Sequence, residues 1–104
     1  MKIAIPFFKK RVSNRLDSSE NILIVSIKSG AIESRKKIRL IHSEPLMMIN
    51  ILTQLKVNVL LCGGITEYYA KQFTLSRIKV IPWISGELEE VLDLYLQGRL
   101  KEKI

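Results

Sequence analysis

At 104 residues the chain has the length of one domain and is too short to enclose a second hydrophobic core. Its 47% hydrophobic and 26% charged residues give the balance of a globular protein and exclude the disordered class, while a single cysteine excludes an internally stapled secreted scaffold. The net charge of +7 calls for either a solvated basic surface or an anionic partner; it is concentrated in Lys9-Lys10-Arg11, in Arg35-Lys36-Lys37 with Arg39, and in Arg99 with Lys101 and Lys103.

The chain opens with Lys2 to Pro6, an apolar run read as a first strand that ends at the proline, since proline cannot donate to a sheet ladder. The apolar stretch reaches only to Phe8 before three basic residues interrupt it, too soon for a signal-peptide core. No later run approaches the roughly 20 residues that span a bilayer. The expectation is one domain over residues 1–104, in the reducing cytoplasm and away from membranes. Phe7 to Asn21 is polar and basic, rich in Ser and Asn, and reads as a loop of about fifteen residues, a length that in compact domains often signals function.

Ile22 to Ile27 is β-branched and apolar, and Lys28-Ser29-Gly30 turns it into an antiparallel partner. In that partner Ile32, Ile38 and Leu40 alternate with Glu33, Arg35, Lys37 and Arg39, the period of an edge strand with one wet face. Ser43-Glu44-Pro45 then offers a cap and a first-turn proline for a helix with Leu46, Ile49, Leu52 and Leu55 at helical spacing. Val57 to Leu61 reads as a buried strand, closed by Gly63-Gly64 before Thr66 caps a second helix over 67–75. Lys79 to Ile81 is a last strand ending at Pro82. Ser85-Gly86 opens a third helix with Leu88, Val91, Leu92 and Tyr95 on one face and Gly98 as its stop. The result is an α/β fold with a mixed five-stranded sheet, order three-two-one-four-five, and helices on its faces.

Four stretches in this order carry a family resemblance. They are Met1-Lys2-Ile3-Ala4-Ile5-Pro6, the loop from Arg11 to Glu20, Leu61-Cys62-Gly63-Gly64-Ile65, and Ile78-Lys79-Val80-Ile81-Pro82-Trp83-Ile84-Ser85-Gly86. Together they resemble the dinitrogenase iron-molybdenum cofactor biosynthesis family, of the type found as NifX and at the carboxyl end of NifB. The resemblance implies a ribonuclease H-like αβα fold. It also implies binding or carriage of an iron-sulfur or iron-molybdenum cofactor precursor, with a cofactor-assembly protein as partner. Where many members of that family have a His-Phe-Gly-like element in the first loop, this chain has Arg15-Leu16-Asp17.

The residues themselves place a candidate site at the carboxyl edge of the sheet, where ligands bind in open α/β folds. Cys62, before the glycine pair, reads either as a thiolate metal ligand or as core packing. His42 reads as a surface residue or a ligand. One cysteine and one histidine fall short of the roughly four protein ligands that a cluster or structural zinc takes, so a cofactor would be held partly or between two subunits of a homodimer. Gly63, Gly64 and Thr66 either present a helix start to an anion or serve only the tight strand-to-helix turn, and Arg11, Ser13, Arg15 and Asp17 supply the facing loop. Trp83 reads as core or as a partly exposed contact, core being the preferred reading. The acids Glu87, Glu89, Glu90 and Asp93 gather on one helix rather than at strand ends, against a metal-dependent nuclease, and the reading is of a binding protein and not an enzyme. Two rivals stay open. One is a nonspecific binder of nucleic acid or acidic protein, although no nucleic-acid motif is present; the other is a structural or regulatory dimerisation module.

Overall fold

The computed structural model describes residues 1–40 and 45–100. The strands are β1 (Lys2–Phe8), β2 (Arg11–Val12), β3 (Asn21–Lys28), β4 (Ala31–Arg39), β5 (Val59–Leu61) and β6 (Lys79–Ile81). The helices are α1 (Pro45–Gln54), α2 (Glu67–Leu75) and α3 (Leu88–Leu96). The main path of the sheet runs β4-β3-β1-β5-β6, with β2 attached to β1. β1 is antiparallel to β2 and β3 and parallel to β5, which is parallel to β6. The sheet is therefore mixed but six-stranded, not five-stranded. His42, Ser43 and Glu44, including the expected cap of α1, lie outside the described residues.

Strict alternation along the central strands sorts the core into two layers. Ala4, Ile22, Ile24, Leu60 and Cys62 pack with Met48, Ile49 and Leu52 of α1 and Phe73 of α2. Ile3, Ile5, Leu23, Val25, Val59 and Leu61 pack with Leu88, Val91 and Leu92 of α3. Helices thus cover both faces, which is why these strands read as continuous apolar runs. Among the described residues no helix is long and apolar enough to cross a membrane.

Pro6 does not end β1. The exchange of hydrogen bonds between Met1 and Ile27 makes the odd-numbered residues of β1 its hydrogen-bonded pairs with β3, so the backbone nitrogen of Pro6 points to the other edge, beyond the β5 register at Ile3 and Ala4. There its missing N–H matters little, and its carbonyl still accepts from Ser13 N–H at 3.0 Å. The expected fifteen-residue loop is likewise mostly structured: a two-residue turn at Lys9-Lys10 leads into β2, and a 3-10 turn follows over Leu16–Ser18. In α1 the buried positions are Met48, Ile49 and Leu52, while Leu46 is turned outward.

The β3–β4 turn has Ser29 at φ 55° and Gly30 at φ 78°, the paired left-handed conformation that matches the twist of a hairpin. All three helices stop by one device. Val57 N–H donates to Leu52 O, Ile78 N–H to Phe73 O and Arg99 N–H to Leu94 O, each across a left-handed residue, namely Lys56 (φ 61°), Arg77 (φ 65°) and Gly98 (φ 69°). α3 starts at Leu88 after Glu87, two residues later than the expected opening at Ser85-Gly86.

Candidate functional site

β1, β5 and β6 run parallel, so the segments that leave their carboxyl ends meet on one edge of the sheet. These segments are 11–16, 62–66 and 82–88, and backbone hydrogen bonds close them into a ring. Gly64 N–H donates to Asn14 O at 2.6 Å, and Leu16 N–H donates to Gly64 O at 2.9 Å. Trp83 N–H donates to Gly63 O and Ile84 N–H to Cys62 O, both at 2.9 Å. Val12 N–H donates to Gly86 O at 3.0 Å and Leu88 N–H to Lys10 O at 2.8 Å, which joins the third segment back to the first. Each segment satisfies polar backbone groups of the other two, so none can move alone without leaving some unpaired.

This clasp explains the glycine pair. A Cβ on Gly63 would collide with the carbonyl oxygen of Ser13 and lie 2.5 Å from that of Asn14, so only glycine lets the first segment approach. At Gly64 a Cβ would meet Asn14 O at 3.2 Å, the Trp83 ring at 3.4 Å and Arg15 Cγ at 3.7 Å. The sequence offered these glycines either as an anion cradle or as a tight turn from strand to helix. Their close approach is to the chain's own backbone instead, and the Gly64 amide is already engaged.

Cys62 is fully buried in the layer under α1 and α2, and burial pushes its thiol up to about 12. At neutral pH it is a protonated packing group; a thiolate ligand at this position would need the clasp to open. Among the described residues no group of three or more His, Cys, Asp or Glu side chains converges to hold a metal ion. Thr66 caps α2, its hydroxyl accepting from Tyr69 N–H at 3.3 Å. Ser13 is buried beneath the clasp.

Arg15 reaches outward, its side chain 62% exposed, and forms a two-bond fork with Asp17: Nε donates to Oδ1 at 3.1 Å and the terminal nitrogen to Oδ2 at 3.2 Å. The Arg15 hydrogen bond holds the Asp17 carboxyl below its ordinary value, and Asp17 raises the guanidinium in turn. Ser19 Oγ donates to Arg15 O at 2.8 Å and fixes the backbone behind the fork. Arg11 lies apart from it, bridged to Glu87 beside α3, so the two arginines serve different stretches of the edge. Arg11 lines a shallow cleft of about 230 Å³ with Phe8 and Asn14, and an adjoining cleft of about 300 Å³ shares Phe8, Ser13 and Asn14 with it.

Trp83 is not core. It is 55% exposed, stands at φ 63° and flanks Gly64 opposite Arg15. Phe8, beyond the expected end of β1, is 64% exposed on the same edge. The sequence favoured core for Trp83 over its exposed alternative and did not single out Phe8. The available signal was their setting, since Trp83 follows Pro82 in a short link between strand and helix, where an apolar residue has no periodic face to join.

A mixed α/β sheet covered by helices on both faces, with a clasped site at the carboxyl edge, defines the class. The chain belongs to the dinitrogenase iron-molybdenum cofactor family, whose sequence model matches residues 1–98. Among solved structures it is similar to PH0822, at 20% identity and a TM-score of 0.90, over 99% of this chain and 96% of that one. A dinitrogenase candidate from Methanocaldococcus jannaschii is 24% identical with a TM-score of 0.80, over 99% of this chain and 94% of that one. A NifB candidate from Thermotoga is 22% identical with a TM-score of 0.77, over 97% and 91%. At these identities the structures establish the shared fold. No curated protein matches the chain.

Proposed function

We propose that this chain is a non-enzymatic carrier that holds an anionic iron-molybdenum or iron-sulfur cofactor precursor, as cargo for a cofactor-assembly protein, on a ribonuclease H-like framework. Family membership supports the class of cargo. The observation that carries the site is that two exposed side chains, Trp83 and Arg15, come together over Gly64, the Trp83 ring 3.4 Å and Arg15 Cγ 3.7 Å from where its Cβ would stand, over a backbone fixed by the clasp. A cation and an aromatic wall suit a bulky preformed anion.

The donor set argues against a cluster ligated by protein thiolate, because Cys62 is buried and protonated. The cargo would instead be held by charge, by contact and by its own non-protein ligands, or shared across a homodimer. Gly63, Gly64 and Thr66 then build the platform rather than touch the cargo, Ser13 anchors the loop that carries Arg15, and Asp17 pairs with the guanidinium until an anion takes its place.

The test is anaerobic incubation with isolated iron-molybdenum cofactor, followed by gel filtration and metal analysis. Retention should fall at least tenfold in Arg15→Ala and in Trp83→Ala and persist in Cys62→Ala. Loss of retention in Cys62→Ala alone, with the fold intact, would return the site to the thiol.

A further inference from the structure

A second concavity lies away from the Arg15–Trp83 platform, on the face of the sheet covered by α3. α3 packs on β1 and β3 but leaves part of β4 uncovered, and the side chains of Arg35 and Lys37 stand on that face beside Val25 and Leu23, their cross-strand partners. Between this uncovered strand, the start of α3 and the Lys9-Lys10 turn is a cavity of about 740 Å³. Its floor is apolar, made by Leu23 of β3 and Leu88 of α3, which are 2% and 6% exposed.

The charge around this floor is unbalanced. Four cations line the cavity against two carboxylates, those of Glu87 and Glu89. Glu89 is spent on Arg35, whose terminal nitrogen donates to both of its oxygens at 2.7 Å and ties the edge strand to α3 across one wall. Lys9, Lys10 and Lys37 form no ion pair with any described residue. Lys37 Nζ instead stands 5.8 Å over the Phe7 ring, and Lys9 Nζ 5.5 Å over Phe8. An ammonium held over a ring face keeps its charge available to an anion. The volume falls within the range of pockets that take small organic molecules, and an apolar floor with a few convergent cations is the pattern for a ligand with a greasy body and one acidic head.

We propose that this cavity binds a small organic anion, a carboxylate or sulfonate on a hydrocarbon or aromatic body, with the body on Leu23 and Leu88 and the head among Lys9, Lys10 and Lys37. The Arg35–Glu89 pair forms the side wall. Glu87 disfavours dianions, so a monoanion is the preferred charge state. This site is independent of the carrier reading, since neither Arg15 nor Trp83 lines it.

The experiment titrates the full chain with 8-anilinonaphthalene-1-sulfonate, follows its fluorescence, and competes it with octanoate, octanol and acetate. Saturable binding of about one probe per chain is expected, displaced by octanoate and at least tenfold less well by octanol or acetate. The double variant Lys10→Glu, Lys37→Glu should weaken probe binding at least tenfold while keeping its circular dichroism, thermal midpoint and retention of isolated iron-molybdenum cofactor. Arg15→Ala should bind the probe as the unaltered chain does, so failure of the carrier reading leaves this one standing. No saturable binding, displacement by octanol as good as by octanoate, or unchanged affinity in the folded double variant would each overturn the proposal.

Discussion

The Gly64 amide donates to the Asn14 carbonyl across 2.6 Å, and this contact between loops far apart in the chain fixes the carboxyl edge of the sheet. Its neighbour Gly63 makes the approach sterically possible. Gly63→Ala sets a methyl group against the backbone carbonyls of Ser13 and Asn14, and that of Asn14 already accepts from Gly64 N–H, so it cannot yield without loosening the clasp. It should destabilise the protein by about 2 to 4 kcal/mol in chemical denaturation. Gly64→Ala, whose nearest contact is at 3.2 Å, should lose about 1 kcal/mol or less. Equal losses at the two positions would contradict this account.

Lys56 and Arg77 occupy the left-handed stop of α1 and α2, where a side chain is strained, and Gly98 fills the same place after α3. Lys56→Gly and Arg77→Gly should therefore each raise stability by about 0.5 kcal/mol, the left-handed penalty offset in part by the greater freedom of glycine when unfolded. Gly98→Ala should lower it by about 1 kcal/mol. Thermal melts of the three variants decide the matter, and a loss in both glycine substitutions would refute the strain argument.

Much of the fold was legible because apolar runs and turn residues agreed. The β3–β4 hairpin, the Thr66 cap and the α3 face of Leu88, Val91 and Leu92 all follow from local chemistry that the structure repeats. Pro6 was misread because its effect depends on which neighbour it faces, and that is set by the register with β3 and the short reach of β5. The site was legible only as an address. The glycine pair and the first loop do meet, but the sequence could not say that they fill each other's hydrogen bonds, nor that the alternation carried on from β5 sets Cys62 in the layer under α1 and α2 while Trp83, after β6, stands outside the core.

The Cys62 thiol gives a pH prediction with a definite sign. Its proton is held in the folded state up to about 12, whereas the unfolded chain releases it near 9.0. Between these values the folded state binds the extra proton, so this thiol makes stability fall as pH rises through the window, at up to about 1.4 kcal/mol per pH unit. Tyr95, also raised by burial, contributes with the same sign. Subtracting the denaturation profile of Cys62→Ala isolates the thiol. Parallel profiles above pH 9 would show that the thiol is not protected from ionisation.

The Arg15–Asp17 fork should matter to cargo and not to stability, because both groups are solvated. Asp17→Asn removes a carboxylate that competes with an anionic ligand for the guanidinium. It should leave the thermal midpoint unchanged while increasing cofactor retention at moderate salt. Acid should act in the same direction as that substitution, since protonating Asp17 frees Arg15, but only below the ordinary carboxylate range because the pair holds Asp17 low. Weaker retention in Asp17→Asn would mean that the carboxylate orients Arg15 for the ligand instead of competing with it.

The ring of backbone contacts at the sheet edge also dictates a folding order. Asn14 and Gly64 stand about 50 residues apart, and Lys10 and Leu88 nearly 80, so each closure ties off a long loop whose entropy must be lost before the contact contributes. The β3–β4 hairpin closes locally and early, whereas the platform of Arg15 and Trp83 exists only once α3 has docked against the Lys9-Lys10 turn. A chain still emerging from the ribosome has no such surface, and on the proposed carrier reading only the finished molecule could take up cargo.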